Sequence, residues 1–379
     1  MTRMLALAAV LLSASPIFAQ LPNPRLNAIF PCGAKRGSSV EVALSGGDVA
    51  DATGLHFSHP GITAKPGPKG TFQITVASNV PVGPYDVRAV TPNGVSNFRA
   101  FVVSDWPEVL EKEPNDEVGK GQKITLPVVV TGKIDKPTDL DHYTFAAKKG
   151  QRILVNCWAW RIDSQLDGTL MIFDPQGKEI AYVGDFAGRD PFVDFTAPAD
   201  GEYTVRIWDF VYGGGSDSFY RLQIGSLPHV DAVLPAAVQP GTKATVTVYG
   251  RNLPGGRPAP DGATVGGQPL EVVTRTIDVP ANALALSTGE AVRPYQSSLD
   301  GMAFRLETPE GSSNPTFLAF ATDPIVLEKE PNDDPTKAQM LTLPSDVSGT
   351  FSQPGDRDHY RFSAKKGDKV VVEIFGQRQ

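Results

Sequence analysis

The chain has 379 residues, more than one ordinary domain holds, and 41% of them are apolar, enough for several packed cores. Only 20% are charged, which argues against a disordered tail protein, and 37 Gly with 33 Pro favour short strands and turns over long helices. A formal net charge of −7 without a Lys/Arg stripe argues against nucleic acid as a partner and in favour of cations.

The first residues have the pattern of a secretory signal over 1–19. Arg3 supplies the positive end, Met4 to Ala14 is a short apolar run, and Ala19 offers a small residue for cleavage. That run is too short to span a bilayer, and no later stretch approaches the roughly 18 apolar residues of a membrane helix. The expected localisation is therefore secreted or cell surface. Cys32 and Cys157 fall in different predicted modules and read as small buried hydrophobes.

From 25 to 104 the pattern is short alternating runs broken by Gly and Pro. Ser39 to Leu44, Phe72 to Val76 and Tyr85 to Val90 each alternate with period two, which predicts a β-sandwich. Trp106-Pro107 forms a linker to a second module, 108–225. There Gln151 to Trp158 alternates in part and Gly201 to Trp208 throughout, predicting a second all-β sandwich. The Gly213-Gly214-Gly215 run between strands reads as a flexible loop. A third module, 228–325, repeats the first: Asn27 to Pro31 matches Asp231 to Pro235 at an offset of 204. By its end the offset has grown to 217, so it carries 217 − 204 = 13 extra residues, placed in a loop around 257–298.

The remainder, 326–379, repeats the start of the second module. Leu110-Glu111-Lys112-Glu113-Pro114-Asn115-Asp116 returns unchanged as Leu327-Glu328-Lys329-Glu330-Pro331-Asn332-Asp333, an offset of 327 − 110 = 217. The register continues through Asp141-His142-Tyr143 and Asp358-His359-Tyr360. Gln379 then corresponds to Ile162, so this segment is expected to be the N-terminal half of a second such module, truncated.

Calcium takes six to eight hard oxygens, from carboxylates, amides, carbonyls and water. Glu111, Glu113, Asn115 and Asp116 offer four side-chain donors within six residues. In an extended segment Glu111, Glu113 and Asn115 point the same way. Asp139 and Asp141 can close the shell from a neighbouring loop. The second copy supplies Glu328, Glu330, Asn332, Asp333, Asp356 and Asp358, with Arg357 in place of Leu140. Crowded carboxylates repel unless a cation offsets them, so calcium is the expected cofactor. Trp158 and Trp160, two apart on one predicted strand, share a face and offer a ligand platform. His142 and His359 are expected to be hydrogen-bonded structural residues. No Ser/His/Asp arrangement, Gly-x-Ser-x-Gly or His-Glu-x-x-His is present, so no catalytic residue is predicted.

Several of these motifs carry a family resemblance. Glu111-x-Glu113-Pro114-Asn115-Asp116, Gly132, Asp139-x-Asp141-His142-Tyr143-x-Phe145, Lys149-Gly150, Asp174-x-x-Gly177, Ala199-Asp200-Gly201-x-Tyr203 and Tyr220-x-Leu222 resemble the bacterial pre-peptidase C-terminal domain. That resemblance implies a non-catalytic, jelly-roll-like sandwich found beside secreted peptidases, similar to collagenase collagen-binding domains whose acidic segment binds calcium. The first and third modules resemble immunoglobulin-like IPT/TIG modules. The fold class is thus expected to be all-β, with tandem sandwiches of two kinds alternating. The expected function is a secreted binding, adhesion or spacer protein whose calcium stiffens each junction, with a matrix, polysaccharide or protein ligand. The second reading is the accessory region of a secreted peptidase whose catalytic domain lies outside this chain.

Overall fold

The computed structural model describes residues 22–376 other than 187, 261, 283–298, 310 and 352–354. The expected signal segment and part of the 257–298 loop therefore lie outside the described residues. About half of the chain is strand, distributed over many sheets, so the fold is all-β.

The first sandwich follows directly from period-two patterning. One sheet has the order β1 (Arg25–Phe30), β3 (Ser39–Gly47), β6 (Phe72–Val76), β5 (Ile62–Pro66). The other has β2 (Gly33–Lys35), β8 (Gly94–Ser104), β7 (Gly83–Thr91), β4 (Gly54–Phe57). Phe72, Ile74 and Val76 of β6 face Tyr85 and Val87 of β7 across the core, while Gln73 and Thr75 face water. Each such fully buried side chain contributes about 1.5–3 kcal/mol.

The second sandwich holds the largest core. Its first sheet runs β10 (Gln122–Lys123), β12 (Asp141–Ala147), β17 (Gly201–Asp209), β14 (Gly168–Phe173), β15 (Glu179–Val183). Its second runs β16 (Phe192–Thr196), β13 (Arg152–Trp158), β18 (Phe219–Gly225), β11 (Val128–Lys133), β9 (Glu108–Leu110). Tyr143, Phe145, Tyr203, Val205 and Ile207 of one sheet meet Val130, Val155, Tyr220 and Leu222 of the other. Strand β9 is the chain leaving the first sandwich. It pairs parallel to β11, so the linker becomes a sheet edge.

Charges lock the sandwiches together. Arg221, only 2% exposed, donates to both oxygens of Glu108 on β9 (2.6 and 2.9 Å). It lies so close to Gly33 of the first sandwich that a Cβ there would sit 2.4 Å from its Nη1. A bidentate pair satisfies the buried guanidinium, which would be costly alone. Toward the third sandwich, Arg152 grips Asp194 in the same way (2.8 and 2.5 Å) and donates to Pro269 O. Arg251 bridges Asp194 and Asp231. Asp105 accepts from Ser312 N and Oγ, and Trp106 packs against Gly311, so the third sandwich also touches the first linker.

The third sandwich pairs a sheet of His229–Leu234, Lys243–Arg251, Glu271–Asp278 and Arg257–Pro258 with one of Ala237–Val238, Thr316–Phe320 and Gly301–Phe304. After it, Ile325–Leu327 pairs parallel to Asp346–Ser348, and Gln339–Leu341 parallel to Tyr360–Phe362. These are the equivalents of β9 on β11 and β10 on β12. Among the described residues no strand follows Phe362, and Val371, Val372 and Ile374 are 75–88% exposed. Cys32 and Cys157 are free and buried, and burial pushes the Cys32 thiol up to about 12.

Candidate metal centre

Strand β9 delivers the acidic segment to its place. Glu111 N donates to Thr131 O of β11 as the chain leaves β9, and Glu111 Oε2 accepts from Lys133 N at 2.8 Å. This close approach needs Gly132, where a Cβ would stand 2.3 Å from Tyr220 Oη and 3.0 Å from Glu111 Oε2. The segment then bends and drops Asn115 into the protein, 0% exposed. Asn115 O accepts from His142 N (3.2 Å) and lies 2.9 Å from His142 Nδ1. Arg206 Nε donates to His142 Nε2 at 2.7 Å. A guanidinium only donates, so Nε2 holds the lone pair and Nδ1–H serves Asn115. Burial, with Arg206 beside it, lowers the His142 pKa and keeps the ring neutral. His142 is thus a hydrogen-bonded structural residue that pins the acidic loop.

Carboxylates converge on both sides of Glu113. Oxygens of Glu111, Glu113 and Asp141 lie within 4.8 Å of one another, as do those of Glu113, Asp116 and Asp139. All six residues singled out in the sequence are therefore brought together, with Asn115 Nδ2 donating to Glu111 Oε1. The joining differs from simple alternation, because Asp116 also faces the cluster and Asn115 turns inward. Two buried phenols, which the sequence showed only as family markers, support it from the core. Tyr220 donates to Asp141 Oδ2 at 2.6 Å, and its one proton being spent there, Tyr143 donates to Tyr220 Oη at 2.5 Å.

Burial and mutual proximity disfavour the charged forms of these acids. Burial, with Glu111 next to it, pushes Asp141 up to about 10. Burial also raises Glu113 and Asp139, each further raised by neighbouring acids. Asn115 Oδ1, Asp139 Oδ1 and Asp141 Oδ1 are buried and accept no hydrogen bond. Orphaned oxygens of this kind are rare and costly. Hard oxygens, several of them anionic and within 4.8 Å of one another in each trio, are of the type that a hard cation such as calcium takes.

The second copy repeats the pattern. Glu328, Glu330 and Asp358 form one trio. Glu328 Oε2 accepts from Thr350 N (2.7 Å), and Glu328 Oε1 from Asn332 Nδ2 (3.0 Å) and Tyr360 Oη (3.1 Å). Asn332 is 0% exposed with an unbonded Oδ1. Asp333 Oδ1 accepts from Arg357 N at 3.4 Å. Among the described residues Asp333 and Asp356 do not join a second trio.

Two expectations need correction. Strand β13 ends at Trp158 and Trp160 opens a 3-10 turn, Trp160–Ile162, so the two indoles do not share a strand face. Asp190 imposes that turn by accepting from Ala159 N, Trp160 N and Arg161 Nε. Trp158 is partly buried in the crevice where the sandwiches meet, under the Arg161 guanidinium, while Trp160 is 55% exposed. The glycine run is also not free. Gly213 N donates to Asp209 Oδ1 and Gly215 N to Ile134 O, and a Cβ on Gly214 would meet Lys136 O at 2.3 Å. This ordered loop presents Phe210, Val211 and Tyr212 at 51–74% exposure, a surface that sequence reasoning missed.

Residues 139–207 match the family model of the bacterial pre-peptidase C-terminal domain. The second sandwich thus carries that domain, from the loop before β12 into β17. A probable subtilase-type serine protease of Deinococcus radiodurans is 34% identical over 101 residues, which are 25% of this chain and 14% of that relative. Among solved structures, the pre-peptidase C-terminal domain of a Bacillus anthracis collagenase aligns over 30% of this chain and 99% of its own, at 18% identity and a TM-score of 0.24. The periplasmic g-type lysozyme inhibitor PliG of Aeromonas hydrophila aligns over 28% and 97%, at 21% identity and a TM-score of 0.22.

Proposed function

We propose that this chain is a non-catalytic binding and spacing portion of a secreted protein, in which calcium fixes the acidic segment onto its sandwich. The observation that carries the reading is the convergence of five carboxylates and the orphaned Asn115 oxygen immediately after the linker strand. Glu111, Glu113, Asn115 and Asp141 would hold the ion, with Asp116 and Asp139 beside them. Bound calcium would supply the positive charge that these oxygens coordinate. The chain's own part is to hold Glu111 by Lys133 N and Gly132, Asp141 by Tyr220, and Asn115 by His142. Because β9 continues into Glu111 and carries Glu108, fixing the segment also fixes the Arg221 clamp between sandwiches. The immunoglobulin-like character of the first and third sandwiches, and export through residues 1–19, belong to the same proposal.

Three consecutive exposed apolar residues on an ordered loop favour a ligand surface, because isolated exposed hydrophobes are common and such runs are not. Phe210 to Tyr212, with Trp160, would meet a matrix, polysaccharide or protein ligand. Alanine substitution at these positions followed by a glycan and collagen-peptide screen tests that part. The second reading, the accessory region of a secreted peptidase, draws on the subtilase-type relative. The test of the leading reading is thermal unfolding of the whole chain in EDTA and in calcium. An upward shift with calcium is expected, and coincident curves would sink the calcium reading.

A further inference from the structure

The two acidic trios of the first copy share Glu113, so they define two adjacent cation positions. The inner one lies at Glu111 and Asp141, the outer one at Asp116 and Asp139. A cation stands beside the outer position, on a side chain that is 62% exposed. Lys136 Nζ lies 3.6 Å from Asp139 Oδ1 and 3.9 Å from Asp116 Oδ2. The base of this side chain is held in place: Lys136 O packs on Gly214 and Thr138 N donates to Tyr212 O. Asp139, 1% exposed, has no hydrogen bond to its Oδ1, so the ammonium is what faces that oxygen.

The sequence of the second copy gives an independent pointer. Lys136 is replaced by Gln353, and Leu140 by Arg357. The two stretches, 135–140 and 352–357, thus carry one basic residue each, at different places.

We propose that Lys136 is a built-in counter-cation for the outer position, so that the first copy takes one divalent cation where its acids would accept two. This rests on the calcium reading above. Two divalent ions flanking one carboxylate repel twice as strongly as a divalent ion and an ammonium at the same distance. A second calcium must also displace the ammonium before it can collect its oxygens.

Calorimetric calcium titration of the full chain, carrying Glu330→Gln to silence the second copy, tests this. One calcium is expected to bind with Lys136 present, and one with Lys136→Arg. Two are expected with Lys136→Met, and adding Asp139→Asn to Lys136→Met should return the count to one. A single calcium of unchanged affinity in Lys136→Met, or two in the parent, overturns the role of Lys136 and leaves the calcium reading standing. A parent that binds none overturns both.

Discussion

Glu111 and Glu328 share two bonds in different surroundings. Each takes a main-chain N–H from the residue after a glycine and an Asn amide. Glu328 also takes the Tyr360 hydroxyl, whose counterpart Tyr143 donates to Tyr220 instead. Around Glu111 stands a closed sandwich, whereas around Glu328 only two short parallel strand pairs are described. The local geometry of the acidic site is therefore encoded within about forty residues of sequence. What the closed sandwich adds is burial and Tyr220. Asp141 is fully buried and pushed up to about 10, whereas half-buried Asp358 rises only to about 6. Low dielectric raises the cost of an unmatched carboxylate and equally strengthens its attraction to a cation.

Glu113 belongs to both trios, so Glu113→Gln should weaken calcium binding at the first copy by 100-fold or more, on the order of 2.7 kcal/mol. Glu330→Gln should remove only the weaker site, and calorimetry that shows equal losses would break the contrast. Tyr220→Phe leaves a buried Asp141 oxygen unsatisfied and should lower stability by about 1–3 kcal/mol. Denaturant unfolding in EDTA checks this, with the hydrogen bonds of the second copy unaffected.

Gly132→Ala drives a methyl group against Tyr220 and Glu111 and should cost about 1–3 kcal/mol. The same change at Gly349, where a Cβ meets Glu328 at 2.7 Å, should cost less because that region is open. The effect of pH is read from the shape of the stability profile rather than from its size. An acid whose folded pKa is raised contributes stability below its unfolded pKa and loses it as pH rises through the folded value. In EDTA the first copy should therefore keep losing stability from about pH 4 toward pH 10, and the second should level off above about pH 6. Calcium should flatten both profiles, measured as melting midpoint against pH.

Strands such as β6 and β7 were legible because each buries one face, which forces strict alternation. The acidic site was legible because its donors are local in sequence and written twice. Lys136 was not, since a single lysine beside Pro137 carries no pattern. Nor was the Arg152–Asp194–Arg251 network, whose members are brought together only by tertiary contact. Trp160 was misplaced because alternation runs on in the sequence past Trp158, while the buried Asp190 carboxylate turns the chain. Phe210 to Tyr212 likewise prolongs the apolar character of β17, but Asp209 ends the strand by accepting from Val211 N and Gly213 N.

Endoproteases bind their substrates as extended segments whose main-chain groups are free to pair with the enzyme. Glu108–Leu110 has already given one edge to β11, and Glu108 is tied to the buried Arg221. Cleavage between the first two sandwiches thus requires that this edge first be peeled away, which makes nicking there a measure of local opening rather than of sequence preference. The joint is thus shielded on the side that pairs with β11, and its exposure to a protease follows how often that pairing opens.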